Sequence, residues 1–276
     1  MDRDAQEKPY RIGEYARYMG VTPDFLKHYE QFGLVTPRVA ENGYRYYPFH
    51  ESSRLMDCFA LRGYSVPLRD MRSMLLEGGP EDYLNKLDER AAALRRQIAV
   101  EQAVVQEQER LSRWMAHLKG RGEDWHVVEL PELLFLPHTD LRTFLDDPRI
   151  YAILSDWTPY MPMVKSCLRI TPPAGDGAPG FCWGLSVEAD FAQAHGLPVG
   201  SIVERLPARK AFVLDYSGWQ VSPGESPLRL HYERFLSRME ALRLHPVGCV
   251  YLTVLFHTHD ENGVRRDYGS MAAAIE

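Results

Sequence analysis

The first 79 residues show apolar positions at helical spacing, interrupted by residues that favour helix ends. Four apolar residues three and four positions apart predict a first helix: Ile12, Tyr15, Ala16 and Met19. Gly20 and Val21 then provide a short turn. A second helix is predicted over residues 23–32, with Thr22 as its N-cap, Pro23 in the first position and Gly33 at its end. Two short helices joined in this way form a helix-turn-helix.

A hairpin signal follows these two helices. Asn42-Gly43 favours a tight turn, and the aromatic run Tyr44–Tyr47 has the composition of a strand. Further helices are predicted over Ser52–Leu61 and Pro67–Leu76, before Gly78-Gly79. We therefore predict an N-terminal extension over residues 1–9 and a winged helix-turn-helix domain over residues 10–79.

Residues 80–120 predict one long helix, because no proline or glycine interrupts residues 81–119. Its apolar stripe has a phase slip near Glu101, which is typical of a coiled coil with a stutter. We expect an antiparallel coiled coil in a homodimer; packing against the chain's own C-terminal domain is the alternative. The predicted dimer residues are Leu84, Leu87, Ala91, Leu94, Ile98, Leu111 and Met115.

Residues 123–276 change to short β-like runs separated by proline-rich loops. A weak internal repeat occurs there, with Leu130-Pro131 before the apolar run 133–136 and Leu206-Pro207 before the run 211–214. Each run precedes a predicted helix, over residues 141–154 and 227–244, and then strands over 181–187 and 250–257. Two related α+β halves would share one sheet with helices on one side. The predicted fold class is multidomain, α and α+β.

Composition narrows the function without deciding it. The 276 residues suffice for two cores, and a formal net charge of −6 excludes a protein that coats nucleic acid over its whole surface. The four cysteines stand singly, without zinc-finger spacing, so we expect reduced thiols and no metal or cofactor. No signal-peptide core or membrane-length apolar run occurs, which predicts a cytoplasmic protein with no membrane partner.

The second helix of a helix-turn-helix enters the major groove of DNA, so its polar residues are candidate DNA contacts. Candidates on this helix are Thr22, Asp24, Lys27, His28 and Tyr29, with a core position as the alternative for Tyr29. On the wing, Arg38, Arg45 and Tyr46 have groups that bind phosphate; a solvated hairpin is the alternative.

These segments resemble the MerR family in order and spacing. The resemblance rests on residues 12–14, Gly20-Val21, residues 26–30, Gly33-Leu34 and residues 42–47. It implies a dimer that binds double-stranded promoter DNA and acts with RNA polymerase. In such promoters the two elements recognised by the polymerase are too far apart, and the resemblance implies activation by bending and untwisting the DNA between them. Lys27, His28 and Phe25 depart from the residues usual in the family, and Lys27 loses the bidentate fork of arginine.

The C-terminal region is rich in aromatic residues and methionine, which favour a pocket for a hydrophobic or aromatic small molecule, although core packing explains each one equally well. The candidate ligand residues are Trp157, Tyr160, Met163, Phe181, Trp183, Phe212, Tyr216, Tyr251 and Tyr268. Residues 206–208, 212–216 and 251–256 resemble the gyrase-inhibitor-like domain of multidrug-sensing family members. Those relatives carry an acid where Tyr251 stands, which leaves Glu188, Asp190 or Asp215 as possible substitutes.

Two other functions stay open. Some domains that resemble this C-terminal half are hydrolases, but the sequence contains no nucleophile elbow, no H-E-x-x-H motif and no phosphate loop, so we expect no enzyme. His257 and His259 lie on one side of a predicted strand, and a surface pair is favoured over a metal site. The protein could also bend DNA without an effector.

Overall fold

The structure is a computed structural model, and it describes residues 9–175, 177–220 and 225–276. Two compact units form, Met1–Ala99 and Val100–Glu276. Their boundary lies inside the long helix α5, Pro80–Leu118, which is therefore shared by both units.

The first unit consists of short helices around a small antiparallel sheet of order β1-β3-β2. Its elements are β1 Tyr10–Arg11, α1 Ile12–Met19, α2 Pro23–Gln31, β2 Arg38–Val39, β3 Arg45–Tyr47, α3 Glu51–Gly63 and α4 Leu68–Arg72, which continues as a π-helical turn Ser73–Glu77. The buried core includes Leu26, Leu34, Tyr47 and Leu61. This core fixes α2 and the wing in one rigid arrangement.

Local chemistry sets the limits of α2. The hydroxyl of Thr22 accepts a hydrogen bond from the backbone N–H of Phe25 at 3.2 Å, and Pro23 occupies the first turn, which confirms the predicted cap. The helix ends at Gln31, one residue earlier than predicted, and Gly33 follows with φ of 66°.

The predicted hairpin is also present, with a three-residue loop over residues 41–43. The N–H of Ala40 donates to the carbonyl of Tyr44 at 3.0 Å, and Gly43 adopts φ of 77°. Such loops commonly place glycine in the left-handed position. The side chain of Asn42 accepts from the N–H of Tyr44 at 3.1 Å and closes the loop.

The second unit contains an eight-stranded antiparallel sheet of order β4-β9-β11-β10-β6-β7-β5-β8. Its strands are β4 Glu123–Leu130, β5 Leu133–Thr139, β6 Lys165–Thr171, β7 Gly180–Glu188, β8 Glu204–Leu206, β9 Arg209–Trp219, β10 Pro246–His259 and β11 Arg265–Ile275. Its helices are α6 Pro148–Trp157, followed by a 3₁₀ turn Thr158–Tyr160, then α7 Ala189–His195 and α8 Glu225–Ala241.

Strand register divides this sheet into two faces. The paired residues Leu214, Met271, Leu252 and Leu168 form a buried row across four strands, and helix α8 packs on that side. The same face continues to β7 and β5, where Leu134 and Leu136 pack with residues of α6. Helices α6 and α8 therefore cover one face of the sheet, as predicted, and neither of them covers the opposite face.

The predicted start of the first C-terminal helix, at Leu141, is wrong. The side chain of Asp147 accepts from the N–H of Arg149 at 2.9 Å, so α6 begins at Pro148. Before it, Asp140 accepts from the N–H of Thr143 at 2.8 Å and closes a turn. An aspartate turn thus replaces the first helical turns, because its side chain competes for backbone N–H groups. The second predicted helix is α8, which starts two residues earlier and ends three residues earlier than expected.

Candidate functional sites

Four of the five residues proposed on α2 lie on its exposed side. Thr22, Asp24, Lys27 and His28 are all solvent-exposed. The ammonium of Lys27 lies 2.9 Å from the carboxylate of Asp24, one turn earlier. This exposed pair is weak, so Lys27 remains available to an incoming phosphate.

Tyr29 is the exception among the residues proposed on α2. Its side chain is 4% exposed and belongs to the core, where its ring stacks on Phe25 at a centroid distance of 4.1 Å. Burial raises the pKa of its hydroxyl above the ordinary value. Core packing, the alternative for this residue, is what the structure shows, and Tyr29 is removed from the DNA face.

The wing is tied to α2 through one carboxylate. The guanidinium Nε of Arg45 lies 3.1 Å from Glu30 Oε1, and the hydroxyl of Tyr47 donates to Glu30 Oε2 at 3.4 Å. Arg38 is exposed, whereas Tyr46 is half-buried. Both Arg38 and Arg45 are therefore exposed cations on the wing.

Sequence inspection missed two residues of this surface. The guanidinium of Arg11 lies 5.5 Å from the ring centroid of Tyr44, which is itself exposed. The sequence could have indicated Tyr44, because this residue directly follows Asn42-Gly43 at the tip of the wing. Arg11, Lys27, Arg38 and Arg45 are thus four exposed cationic side chains of α2 and the small sheet.

The open face of the second unit's sheet carries two adjoining cavities, of about 280 Å³ and about 240 Å³. They share floor residues, among them Ser186, Val213, Thr253 and Ser270. We name the larger the apolar lobe and the smaller the polar lobe. One continuous floor means that a single small molecule is able to contact both.

The apolar lobe brings the two halves of the internal repeat together. Leu130-Pro131 and Leu206-Pro207 both line it, with Val247, Ala272 and Ala274. Tyr251, Arg209, Cys167 and Cys249 add polar atoms to those of the shared floor residues. The lobe has the apolar lining, with few polar groups, that is typical of small-molecule sites.

Tyr251 occupies the floor of the apolar lobe. Burial raises the pKa of its hydroxyl far above the ordinary value, so the phenol stays neutral. Its ring lies edge-on to Phe135 at a centroid distance of 6.0 Å, and the guanidinium of Arg169 lies over Phe135 at 5.3 Å. A neutral phenol offers one donor and one acceptor, and no negative charge.

The polar lobe contains a buried carboxylate. Asp215, on β9, is 6% exposed, and Trp114 on α5 lines the same lobe. The imidazole Nδ1 of His126 lies 3.6 Å from its Oδ2. Burial raises the pKa of Asp215, and the contacts with Trp114 and His126 oppose that shift.

An ionic contact joins α5 to the sheet in the same lobe as Asp215. The ammonium of Lys165 lies 3.1 Å from Glu107 Oε1, which also binds Arg110 at 2.7 Å. Burial lowers the pKa of Lys165, and nearby Arg110 lowers it further. Arg110, Trp114 and Lys165 all line the polar lobe, so the C-terminal part of α5 forms one of its walls. These three residues were not predicted from the sequence. The spacing of Trp114, three residues after Leu111, could have indicated that it belongs to the apolar stripe of α5.

Comparison with known proteins identifies the first unit. Residues 10–77 match the sequence family described as MerR HTH family regulatory protein. These residues are a MerR-family DNA-binding domain. The chain is accordingly a DNA-binding transcriptional regulator, as predicted.

Relatives extend the likeness beyond the MerR domain. BrlR, a transcriptional regulator of Pseudomonas aeruginosa, is 26% identical over 231 residues, covering 78% of this chain and 82% of BrlR. The multidrug-efflux transporter 2 regulator of Bacillus subtilis is 28% identical over 93 residues, 33% of this chain and 34% of that protein. A solved EcmrR–DNA complex covers 97% of this chain and 99% of EcmrR, with 16% identity and a TM-score of 0.39, which is too low for an inference about function.

Outside the MerR domain, most of the nine proposed ligand residues do not line the cavity. Trp157, Phe212 and Tyr216 are fully buried on the helix-covered face. The others away from the cavity are Phe181 and Trp183, packed against the α8 core, Tyr160, packed against the α6 cluster, and Tyr268, stacked on Phe256. Tyr251 lines the apolar lobe and Met163 the polar lobe. Strand alternation explains the correction, because aromatic residues and cavity residues occupy opposite faces of β9.

The proposed dimer residues fall into two groups. Leu84 and Ile98 are 60% and 51% exposed, and Ala91, Leu94 and Met115 are half-buried. Leu87 instead packs against the core of the MerR domain, and Leu111 lines a groove beside β6 and β10. Part of the apolar stripe of α5 is thus packed within the chain, and part of it is exposed to solvent.

No helix in the described ranges is long and apolar enough to cross a membrane. Within those same residues, no group of three or more histidine, cysteine, aspartate and glutamate side chains is arranged to hold a metal ion.

Proposed function

We propose that this chain is a ligand-responsive activator of transcription that binds promoter DNA as a homodimer. One observation carries the proposal: the cavity on the open face of the sheet has α5 as a wall, and α5 continues unbroken to Pro80, next to the MerR domain. The C-terminal part of α5 contributes Arg110 and Trp114 to the cavity lining, so ligand contacts there are made by the helix that follows the DNA-binding domain in the chain.

DNA binding is assigned to the exposed face of α2 and to the wing. Lys27, Arg38 and Arg45 bind phosphates, while Asp24 and His28 lie where a recognition helix meets base edges. Arg11 adds a further phosphate contact beside Tyr44. RNA polymerase is the partner at the promoter, as the MerR domain implies.

Dimerisation is assigned to the open part of the stripe on α5. Leu84 and Ile98 expose large apolar side chains, and an antiparallel second copy of α5 would bury them. Two DNA-binding domains held at a fixed separation then contact two half-sites.

The ligand is a hydrophobic or aromatic small molecule whose apolar body fills the apolar lobe. Its binding energy biases the dimer toward the form that bends and untwists DNA. Bending a site costs on the order of 1–6 kcal/mol, and allosteric couplings of about 1–3 kcal/mol are typical. Coupling of this size shifts the equilibrium between the two forms of the dimer by about 5- to 150-fold.

The test compares transcription from the chain's own promoter with and without a compound that raises its melting temperature. Ala272→Phe should fill the apolar lobe, abolish the response to the compound and leave DNA affinity unchanged. Val199→Phe, at an exposed position outside the cavity, is the matched control and should respond like the wild type. A full response from Ala272→Phe contradicts the proposal, and conversion of the compound to a product would indicate a hydrolase.

A further inference from the structure

One lysine lies where α5 meets the open face of the sheet. Lys165 is the first residue of β6, and it pairs in register with Ser186, a floor residue of both lobes. It lines the polar lobe, and it also lines the groove of about 510 Å³ that contains Leu111. Among the described residues that line the two lobes, it is the single lysine. A molecule bound on this floor therefore meets one primary amine from that lining.

Lys165 shares its acid partner with a second cation. Its Nζ lies 3.1 Å from Glu107 Oε1, and Arg110 donates to both carboxylate oxygens of Glu107 at 2.7 Å. A guanidinium that donates two parallel hydrogen bonds is a strong partner for a carboxylate. Glu107 therefore remains paired when Lys165 loses a proton, and the neutral amine leaves no unpaired carboxylate behind.

The surroundings of Lys165 favour its neutral form more than water does. Its side chain is 23% exposed, so it is largely shielded and still accessible. Burial lowers the pKa of its ammonium and the charge of Arg110 lowers it further, while Glu107 and Glu188 oppose the shift. Lysines that are desolvated or that lie beside another cation act as nucleophiles toward carbonyl compounds. Lys165 combines both conditions at a ligand cavity.

The other lysines in the described part of the chain do not share these surroundings. Lys27, Lys119 and Lys210 are exposed. Lys86 is half-buried, but it belongs to the first unit, where its ammonium contacts the hydroxyl of Ser73. These lysines therefore provide an internal comparison for the reactivity of the amine at the cavity.

We propose that Lys165 forms a reversible imine with aldehydes whose apolar body occupies the apolar lobe. This inference rests on the proposed function, and it adds the reactive group of the effector and the residue that holds it. Ser186 lies on the floor of both lobes and next to Lys165 in the sheet, so it connects the site of the body with the site of the carbonyl. The bound aldehyde would then lie against α5, at the contact between Lys165 and Glu107.

The reaction requires only the aldehyde and exchange of protons with water. The ammonium of Lys165 first gives one proton to water. The lone pair of the amine then forms a C–N bond to the carbonyl carbon, and a second amine proton moves to the carbonyl oxygen. This hydroxyl takes a proton from water and leaves as a water molecule while the C=N bond forms. An ammonium and an aldehyde thus give a protonated imine and one water, and the positive charge remains beside Glu107.

The experiment treats the full chain at pH 7.5 with 2-naphthaldehyde and sodium cyanoborohydride, which reduces an imine to a stable secondary amine. Peptide mass spectrometry then locates and quantifies the adduct. We expect about tenfold or more adduct at Lys165 than at any other lysine, because the bound naphthyl body holds the aldehyde beside this amine. An excess of 2-naphthalenemethanol, which has the same body and no carbonyl, should reduce the labelling of Lys165 by competition and leave that of Lys210 unchanged.

A variant of the neighbouring cation tests the role given to the surroundings of Lys165. Arg110→Gln removes the second partner of Glu107 and a nearby positive charge, so the ammonium of Lys165 is favoured and its labelling should fall by about threefold or more. Arg113→Gln, an exposed arginine on the same helix, is the matched control and should label like the wild type.

Labelling that is even across the lysines, or that 2-naphthalenemethanol does not reduce, overturns the inference, and both results come from the wild-type chain. Unchanged labelling of Lys165 in a folded Arg110→Gln variant also overturns it. The proposed function is decided separately, by the promoter response of Ala272→Phe. A chain that responds to a compound through the apolar lobe without labelling at Lys165 keeps the proposed function and loses the inference.

Discussion

The imidazole Nδ1 of His126 on β4 lies 3.6 Å from Oδ2 of the buried carboxylate of Asp215 on β9. This contact joins two neighbouring strands on the floor of the polar lobe. The carboxylate is largely removed from water, which sets the direction of the pH dependence of stability.

Burial raises the pKa of Asp215, so the folded chain holds this proton more tightly than the unfolded chain does. The stability contributed by the protonated acid is fully present below the pKa that Asp215 has in the unfolded chain. It is lost as the pH rises through the higher pKa that Asp215 has in the folded chain. Asp215→Asn removes the ionisation and should increase the free energy of unfolding at pH 7 by up to about 1 kcal/mol, with a smaller gain at pH 4. Urea denaturation at both pH values measures this difference.

A positive charge on the neighbouring His126 side chain favours the ionised form of Asp215. The comparison is therefore repeated in a His126→Gln background, which removes this neighbour. Destabilisation by Asp215→Asn at pH 7 in both backgrounds would contradict the role given to burial.

The cap of α2 gives a second prediction. The Thr22 hydroxyl accepts from the N–H of Phe25 at 3.2 Å, so Thr22→Ala should lower the free energy of unfolding by about 1 kcal/mol. Thr22→Ser keeps the oxygen and should restore most of the loss. Thermal unfolding followed by circular dichroism compares the three proteins, and equal losses in Thr22→Ala and Thr22→Ser would rule out a capping role.

The success of the MerR-domain prediction and the failure at the cavity have different physical causes. Thr22 and Gly43 act within a few residues of chain, so their sequence neighbours suffice to predict a cap and a loop. The cavity depends on which face each strand residue occupies, and on partners distant in sequence. Phe212 and Val213 are adjacent, yet register buries Phe212 under α8 and places Val213 on the cavity floor. Most of the aromatic residues predicted to line a pocket instead form the core, and the cavity is lined mainly by aliphatic residues.

Phosphate binding by the MerR domain gives a third prediction. Lys27→Ala combined with Arg45→Ala should weaken binding to specific and unrelated DNA alike, and should reduce the salt-dependence slope by about 1.8, or about 0.9 per lost contact. Both cations have only exposed or half-exposed acid partners, Asp24 and Glu30, so the fold should be retained. Fluorescence anisotropy over a range of salt concentrations measures the slope. Arg229→Ala, on α8, is the control, and an unchanged slope in the double variant would remove these residues from the DNA interface.

The open stripe on α5 gives the last prediction, and the structure determines which residues to change. Leu87 packs against the MerR-domain core, so replacing it would destabilise the fold and the dimer together. Leu84 and Ile98 are exposed in the single chain, and Leu84→Asp with Ile98→Asp should place charges in the seam and convert the dimer to folded monomers. Sedimentation velocity gives the mass, and circular dichroism confirms the fold. Leu230→Asp, an equally exposed leucine on α8, should leave the dimer intact. A double variant that still sediments as a dimer places the interface elsewhere, because two buried aspartates opposite apolar side chains cost several kcal/mol.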